Sequence, residues 1–259
     1  MYLYRRFLLL LLMLMTVLIA EDKLSGISTG QTVNNIKTSI EQNERDFVII
    51  ETIEIPEGSS STGIAWDGSY LWVNSHSSNV ITKINMDGDV LEAIFDIPGD
   101  FNFELAYYED NFWFVSWINR TLYAIDLDGN IVQSISLIPT LGQDFNIQGV
   151  SFFNDYIWIS GSDNFGIGLF IAKLNMDGEL LNHFNFLDTI TIDGHPGSMA
   201  WVDNNLYIGT QYNNIYKFEY NAGVFTYLES YYLDKPGYLT GLTFDGEYLW
   251  TSPFGGLSE

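Results

Sequence analysis

Short runs of alternating apolar and polar residues, broken by Gly, Asn and Asp, dominate the chain from Phe47 onward. A period of two with such breakers predicts β-strands joined by tight turns. Five segments align without gaps, beginning at Gly63, Glu104, Gly149, Ser198 and Gly241. Each continues with an aliphatic, a small and an aromatic residue: Ile64-Ala65-Trp66, Leu105-Ala106-Tyr107, Val150-Ser151-Phe152, Met199-Ala200-Trp201 and Leu242-Thr243-Phe244. A few polar residues then turn the chain into a second strand carrying Trp72, Trp113, Trp158, Tyr207 or Trp250. A second hairpin follows the first four of these, turning at Asp87-Gly88, Asp128-Gly129, Asp177-Gly178 and, more loosely, before Gly223. Asp-Gly between alternating runs predicts a type I′ turn, with positive φ at both central residues.

Four strands in about 40 to 50 residues is the size of a propeller blade. The first strand of each repeat carries large residues on one face and small ones on the other (Ala65, Ala106, Ser151, Ala200, Thr243), as blades packed on both sides require. Its leading position is small in four repeats, where strands crowd the axis, and is Glu104 in the second. The expected fold is all-β: a β-propeller of five four-stranded blades, the last incomplete. The fifth hairpin is followed by no third strand, so either that blade is incomplete or the chain is a piece of a longer protein. Phe47 to Ile55 resembles the outermost strand of a repeat and could close the ring on the fifth blade.

Upstream of the repeats the texture changes. Arg5 and Arg6 precede the apolar run Phe7 to Ala20, in which Thr16 is the one polar residue. This pattern predicts a signal peptide or short N-terminal anchor over residues 1–20; the run is short for a bilayer-spanning helix. Residues 21–46 read as a polar linker, and 47–259 as the propeller. The chain has no Cys, which excludes a lipid-modified cysteine and a disulfide framework. A secreted or cell-envelope, extracytoplasmic protein is expected, touching membrane only through its N-terminal segment.

Charge narrows the partners. The chain has 33 acidic and 10 basic residues, a formal net charge of −23. Such a surface repels phosphate backbones and excludes nucleic acid as a natural ligand. The loops leading into the first strand of a blade and leaving the second lie on one face, beside the axis, where closed β folds favour ligands. That geometry selects Glu104, Gln148 and His195 from lead-in segments, and Asn74, His76, Trp117, Asp163 and Gln211 from exit loops. A Glu104 carboxylate near the axis would lose hydration and have a raised pKa. It could serve as a general acid or base, swing into a wet channel, or bond to neighbouring backbone N–H groups. Asp126-Leu127-Asp128-Gly129-Asn130 lacks the further ligands of a calcium loop. No metal site or cofactor is expected.

The repeats resemble those of the NHL, SMP-30/gluconolactonase-like and glutamine cyclotransferase-like propellers. Glu104-Leu105-x-Tyr107, then Trp117, then Leu122 with Ile125-Asp126, is similar to a Glu-Leu-x-Tyr…Val-Trp…Ile-Asp block of glutaminyl-peptide cyclotransferases. Asn146-Ile147-Gln148-Gly149-Val150 resembles their Phe-Thr-Gln-Gly-Leu segment, although in that family it precedes the Glu block. The resemblance implies a Glu104 that shuttles a proton while an N-terminal glutamine amine attacks its own side-chain amide. The repeat itself predicts an exported binding or scaffold module engaging a protein or glycan partner without catalysis. The alternative is a channel-mouth enzyme, cyclotransferase-like or lactonase-like, with Glu104 as acid/base. An enzyme requires the polar groups to converge on one pocket; a scaffold leaves them dispersed.

Overall fold

The computed structural model describes residues 13–19, 48–55, 61–75, 78–141, 145–163, 169–186, 192, 194–233 and 238–254. The linker expected over residues 21–46 lies outside them. Two strands, β1 (Met13–Ile19) and β2 (Val48–Ile55), precede the repeats. Blade one is then β3 (Ser61–Trp66), β4 (Leu71–Ser75), β5 (Val80–Ile84) and β6 (Val90–Ile94). Blade two is β7 (Asn102–Tyr108), β8 (Asn111–Ser116), β9 (Thr121–Ile125) and β10 (Ile131–Ser136). Blade three holds β11 (Phe145–Phe153), β12 (Tyr156–Asp163), β13 (Phe170–Leu174) and β14 (Leu180–Asn185). β15 (Pro196–Val202), β16 (Asn205–Thr210), β17 (Asn214–Asn221) and β18 (Val224–Tyr232) make the fourth. Each of these is an antiparallel meander in chain order. The fifth blade takes only its inner hairpin, β19 (Tyr238–Phe244) and β20 (Leu249–Phe254), from the end of the chain. β1 pairs with β20 and with β2, giving the order β19-β20-β1-β2. The expected β-propeller is therefore present, with the strand over 48–55 on the fifth blade as anticipated.

The inner strands β3, β7, β11, β15 and β19 contact one another in a closed ring. Five apolar clusters lie one at each blade interface. Between blades two and three, for example, Trp113, Val115 and Leu122 meet Ile147, Val150 and Ile157. The ring closes where Ile53 of β2 and Trp250 meet Ile64 and Leu71 of blade one. The repeated second-strand aromatics Trp72, Trp113, Trp158, Tyr207 and Trp250 are all buried, each taking a large apolar surface out of water.

Crowding at the axis explains the small leading residues. A Cβ on Gly63 would collide with the backbone of Glu104 and Leu105, and one on Gly241 would sit 2.7 Å from the amide of Ile64. Across the same hairpins, the hydroxyls of Ser160 and Ser252 occupy the space opposite Gly149 and Gly241. These two buried hydroxyls have no hydrogen-bond partner among the described residues and act as fillers.

Turn chemistry differs from expectation in one respect. In Asn85-Met86-Asp87-Gly88-Asp89 only Gly88 has positive φ, so the turn is not type I′. Asn85 accepts the amides of Asp87 and Asp89 through its side chain, and Gly88 N–H donates to the Asn85 carbonyl. Asp126 and Asn175 repeat this arrangement with Asp128/Asn130 and Asp177/Glu179. The side-chain cap makes a type I turn with one left-handed residue the better choice. Two positive-φ residues occur in the inner turns Glu109-Asp110 and Asn154-Asp155 and, among the outer turns, in Ala222-Gly223 of blade four, where Asn221 pairs with Val224.

Candidate functional site

Every inner strand enters its blade through a β-bulge. In blades one, three, four and five the extra residue is Thr62, Gln148, Gly197 and Thr240. In blade two the irregularity moves on by a residue or two, to Glu104 and Leu105 between the pairs Phe103↔Val115 and Ala106↔Trp113. Glu104 adopts φ 44°, a left-handed conformation that is strained for a residue with a Cβ. A bulge re-aims its side chain, and here the new direction is across the axis.

The Glu104 carboxylate is entirely buried. Oε2 accepts the Met199 N–H of blade four at 2.8 Å, and Oε1 accepts the Leu242 N–H of blade five at 3.1 Å. Its own neighbour Leu105 donates a further backbone bond. Burial pushes the carboxyl well above the ordinary glutamate range, and the three N–H donors pull it only part of the way back. One side chain of blade two thus ties two blades on the far side of the ring. Among the outcomes open to Glu104 in the sequence, bonding to neighbouring backbone is the one observed.

The other sequence-selected residues are dispersed. Asn74 is buried in β4 and donates to the Glu104 carbonyl at 3.4 Å, while its Oδ1 accepts the Thr62 hydroxyl at 3.3 Å. Trp117 leaves β8 partly exposed, with Phe101 and Phe103 edge-on at centroid distances of 6.4 and 6.5 Å. His195, in blade four, meets the Ser162 hydroxyl through Nδ1 at 2.9 Å and accepts the Gln211 amide on its carbonyl. His195 and Gln211 are therefore neighbours, two blades away from Trp117. Gln148 is the half-buried bulge residue of β11. Asp163 ends β12, paired with Phe145, and its side chain and His76 lie outside the described residues. Among the described residues, no group of three or more His, Cys, Asp and Glu is placed to hold a metal. The Asp126 carboxylate accepts the Asp128 and Asn130 backbone amides and the Asn130 side-chain amide.

A cavity of about 180 Å³ lies on the axis at the opposite end of the inner strands. Its wall includes the aligned aromatics Trp66, Tyr107, Phe152, Trp201 and Phe244, one from each blade. Its deep end is formed by Leu105, Val150, Met199 and Leu242, the level at which Glu104 is bound. Sequence reasoning placed the mouth at the other face and missed this cavity. The signal was present, since the fourth position of every repeat is aromatic, but alternation alone reads those rings as core.

Ring, bulge and axial carboxylate together define a β-propeller repeat protein. No family model matches the chain, and no curated protein matches it. Among solved structures, Myxococcus xanthus glutaminyl cyclase aligns with TM-score 0.56 at 9% identity, covering 77% of this chain and 92% of that one. A luciferin-regenerating enzyme aligns with TM-score 0.51 at 15% identity, covering 76% and 70%. A virginiamycin B lyase from Staphylococcus aureus aligns at 18% identity with TM-score 0.49, covering 81% and 71%. At such identities the likeness is one of fold. What the likeness shows is the fold: the chain is a β-propeller repeat protein.

Proposed function

We propose that the chain is an exported binding module whose loop face at blade two engages a protein partner, and that Glu104 serves structure and not catalysis. The observation that carries this reading is the state of the Glu104 carboxylate. Both oxygens are spent on the amides of Met199 and Leu242, and the group is closed to solvent. A general acid or base must reach the proton it transfers, directly or through one water. The dispersal of Trp117, Asn74 and the His195–Gln211 pair over three blades supports a scaffold in the same way.

The partner surface is the patch made by Phe101, Trp117 and Ile118, which are 46%, 40% and 53% exposed. A half-exposed Trp and Phe locked edge-on beside an aliphatic residue have the composition of an interface core. The aliphatic member favours protein over glycan, since sugar platforms join an aromatic face to polar neighbours. Export rests on residues 1–20, whose apolar run follows Arg5 and Arg6.

The test is turnover. Purified protein is incubated with peptides bearing N-terminal glutamine and with simple lactones, beside Glu104→Gln. No ammonia release or hydrolysis above background is expected from either protein. Turnover that disappears in a folded Glu104→Gln variant would establish the cyclotransferase-like or lactonase-like alternative. For the patch, Trp117→Ala with Ile118→Ser is expected to lower the protein's capacity to bind a hydrophobic probe dye without changing its melting temperature; an unchanged signal removes the patch from consideration.

A further inference from the structure

In three blades the third strand places a lysine in one cross-strand row with a second-strand aromatic and a fourth-strand polar residue. The rows are Trp72, Lys83, Glu92 in blade one, Trp158, Lys173, Asn182 in blade three, and Tyr207, Lys217, Glu229 in blade four. Lys83 Nζ lies over the Tyr70 and Trp72 rings, 4.3 and 5.1 Å from their centroids. Lys173 Nζ stands 3.5 and 5.5 Å from those of Tyr156 and Trp158. On the outer side Lys83 meets Glu92 at 3.8 Å, and Lys217 meets Glu229 at 3.1 Å. Blade two has neither lysine nor acid: its row is Trp113, Ala124, Gln133.

Blade five has the surroundings of a lysine row around a different residue. Tyr248 and Trp250 stand where Tyr70 and Trp72 do, in the matching segments Asp67-Gly68-Ser69-Tyr70-Leu71-Trp72 and Asp245-Gly246-Glu247-Tyr248-Leu249-Trp250. Across the gap β2 repeats the outer strand of blade one, with Ile49-Ile50-Glu51-Thr52-Ile53 for Val90-Leu91-Glu92-Ala93-Ile94. The match extends to the bulge. Ile50 is passed over between Leu18↔Ile49 and Val17↔Glu51, as Leu91 is between Ile84↔Val90 and Lys83↔Glu92. β1 therefore lies in third-strand register, and Val17 takes the lysine position, paired with both Trp250 and Glu51. Yet β1 is Met-Leu-Met-Thr-Val-Leu-Ile, without a basic residue. Among the described residues it pairs with β20 at three positions, where β5 pairs with β4 at five.

We propose that the place between β20 and β2 is an acceptor site for an extended segment of a partner polypeptide with the pattern aliphatic-x-Lys-apolar, which enters as third strand instead of β1. That pattern is the one of Ile81-Thr82-Lys83-Ile84, Ile171-Ala172-Lys173-Leu174 and Ile215-Tyr216-Lys217-Phe218. Backbone hydrogen bonds to two strand edges supply affinity. The lysine sets the register, between the Trp250 ring and the Glu51 carboxylate, and a basic strand suits a chain of net charge −23. The site belongs to blade five and does not depend on the patch proposed at blade two.

Fluorescence anisotropy of a labelled peptide with the sequence of residues 79–85, titrated into the intact protein, tests it. Saturable one-site binding is expected. The Lys83→Ala form of the peptide should bind roughly five-fold more weakly. Glu51→Gln in the protein should weaken the lysine peptide by a similar factor and leave the alanine peptide unchanged. Val17→Pro takes a ladder hydrogen bond from β1 and should tighten peptide binding. Val17→Lys makes β1 the better occupant, so it should exclude the peptide and raise the melting temperature by roughly 2–4 °C, where Val17→Met should not. Should Val17→Pro fail to fold, the wild type and Val17→Lys decide. Absence of peptide binding to every folded form, equal affinity for the lysine and alanine peptides, or a lower melting temperature for Val17→Lys than for Val17→Met overturns the proposal. Dimerisation of the wild type that the peptide reverses would make a second copy the occupant and overturn the assignment to a partner.

Discussion

At the scale of single residues, two positions show how axial crowding is handled. Gly63 has ordinary φ, but a Cβ there would strike the backbone of β7. Gly68 has φ 94°, and a Cβ there would meet nothing within 4 Å. Gly63→Ala should therefore cost up to about 3 kcal/mol through overpacking, and Gly68→Ala about 1 kcal/mol through backbone strain; urea unfolding of the two variants separates them, and equal losses would refute the distinction. Glu104 is the third such position. Its carboxyl is raised in the fold, so as pH rises past the ordinary glutamate range the unfolded chain releases a proton that the folded one keeps. Stability is then lost with rising pH across that window, by at most about 1.4 kcal/mol per pH unit. Glu104→Gln should remove this part of the slope, and an unchanged slope would show that the carboxyl is not sequestered. The raised carboxyl was legible from sequence because Glu stands where four other repeats carry Gly or Ser. Its target was not, because the amides of Met199 and Leu242 lie 95 and 138 residues away in the chain.

At the scale of elements, the hairpins are set by side chains that cap their own turns. Asp67 accepts the amides of Ser69 and Tyr70 and the indole N–H of Trp72; Asp245 does the same for Glu247, Tyr248 and Trp250. Asp245→Ala should thus loosen both the turn and a buried Trp, costing roughly 2–3 kcal/mol. Asp126→Ala, in an exposed outer turn, should cost under about 1 kcal/mol. Equal melting temperatures for the two variants would contradict this ranking. Strand existence and order were readable because alternation and turn residues recur five times. Turn type was misread at Asp87-Gly88, since the preceding Asn85 changes which conformation the Asp-Gly pair adopts, and dipeptide preference does not include that cap. The bulge displaced onto Glu104 was also invisible: one irregular pair leaves no periodicity to detect.

At the scale of the whole molecule, the ring is closed twice, once through strands at the rim and once through a carboxylate at the axis. At the rim, β1 lies between β20 and β2 on the fifth blade, yet it belongs to the segment whose pattern suits export. A chain of residues 21–259 is expected to keep its four consecutive blades and to melt at a lower temperature than residues 1–259; loss of all cooperative unfolding would show that β1 is indispensable. The axial closure rests on two backbone amides, and amide hydrogen exchange reads both. Met199 and Leu242 face the axis on the free edge of their strands, where Glu104 is the acceptor each one has. Both amides should exchange as slowly as the core in the wild type and be released in Glu104→Ala, while Ala200 and Thr243, paired within their own hairpins, stay protected. Fast exchange of Met199 and Leu242 in the wild type, or equal protection in both proteins, would contradict it.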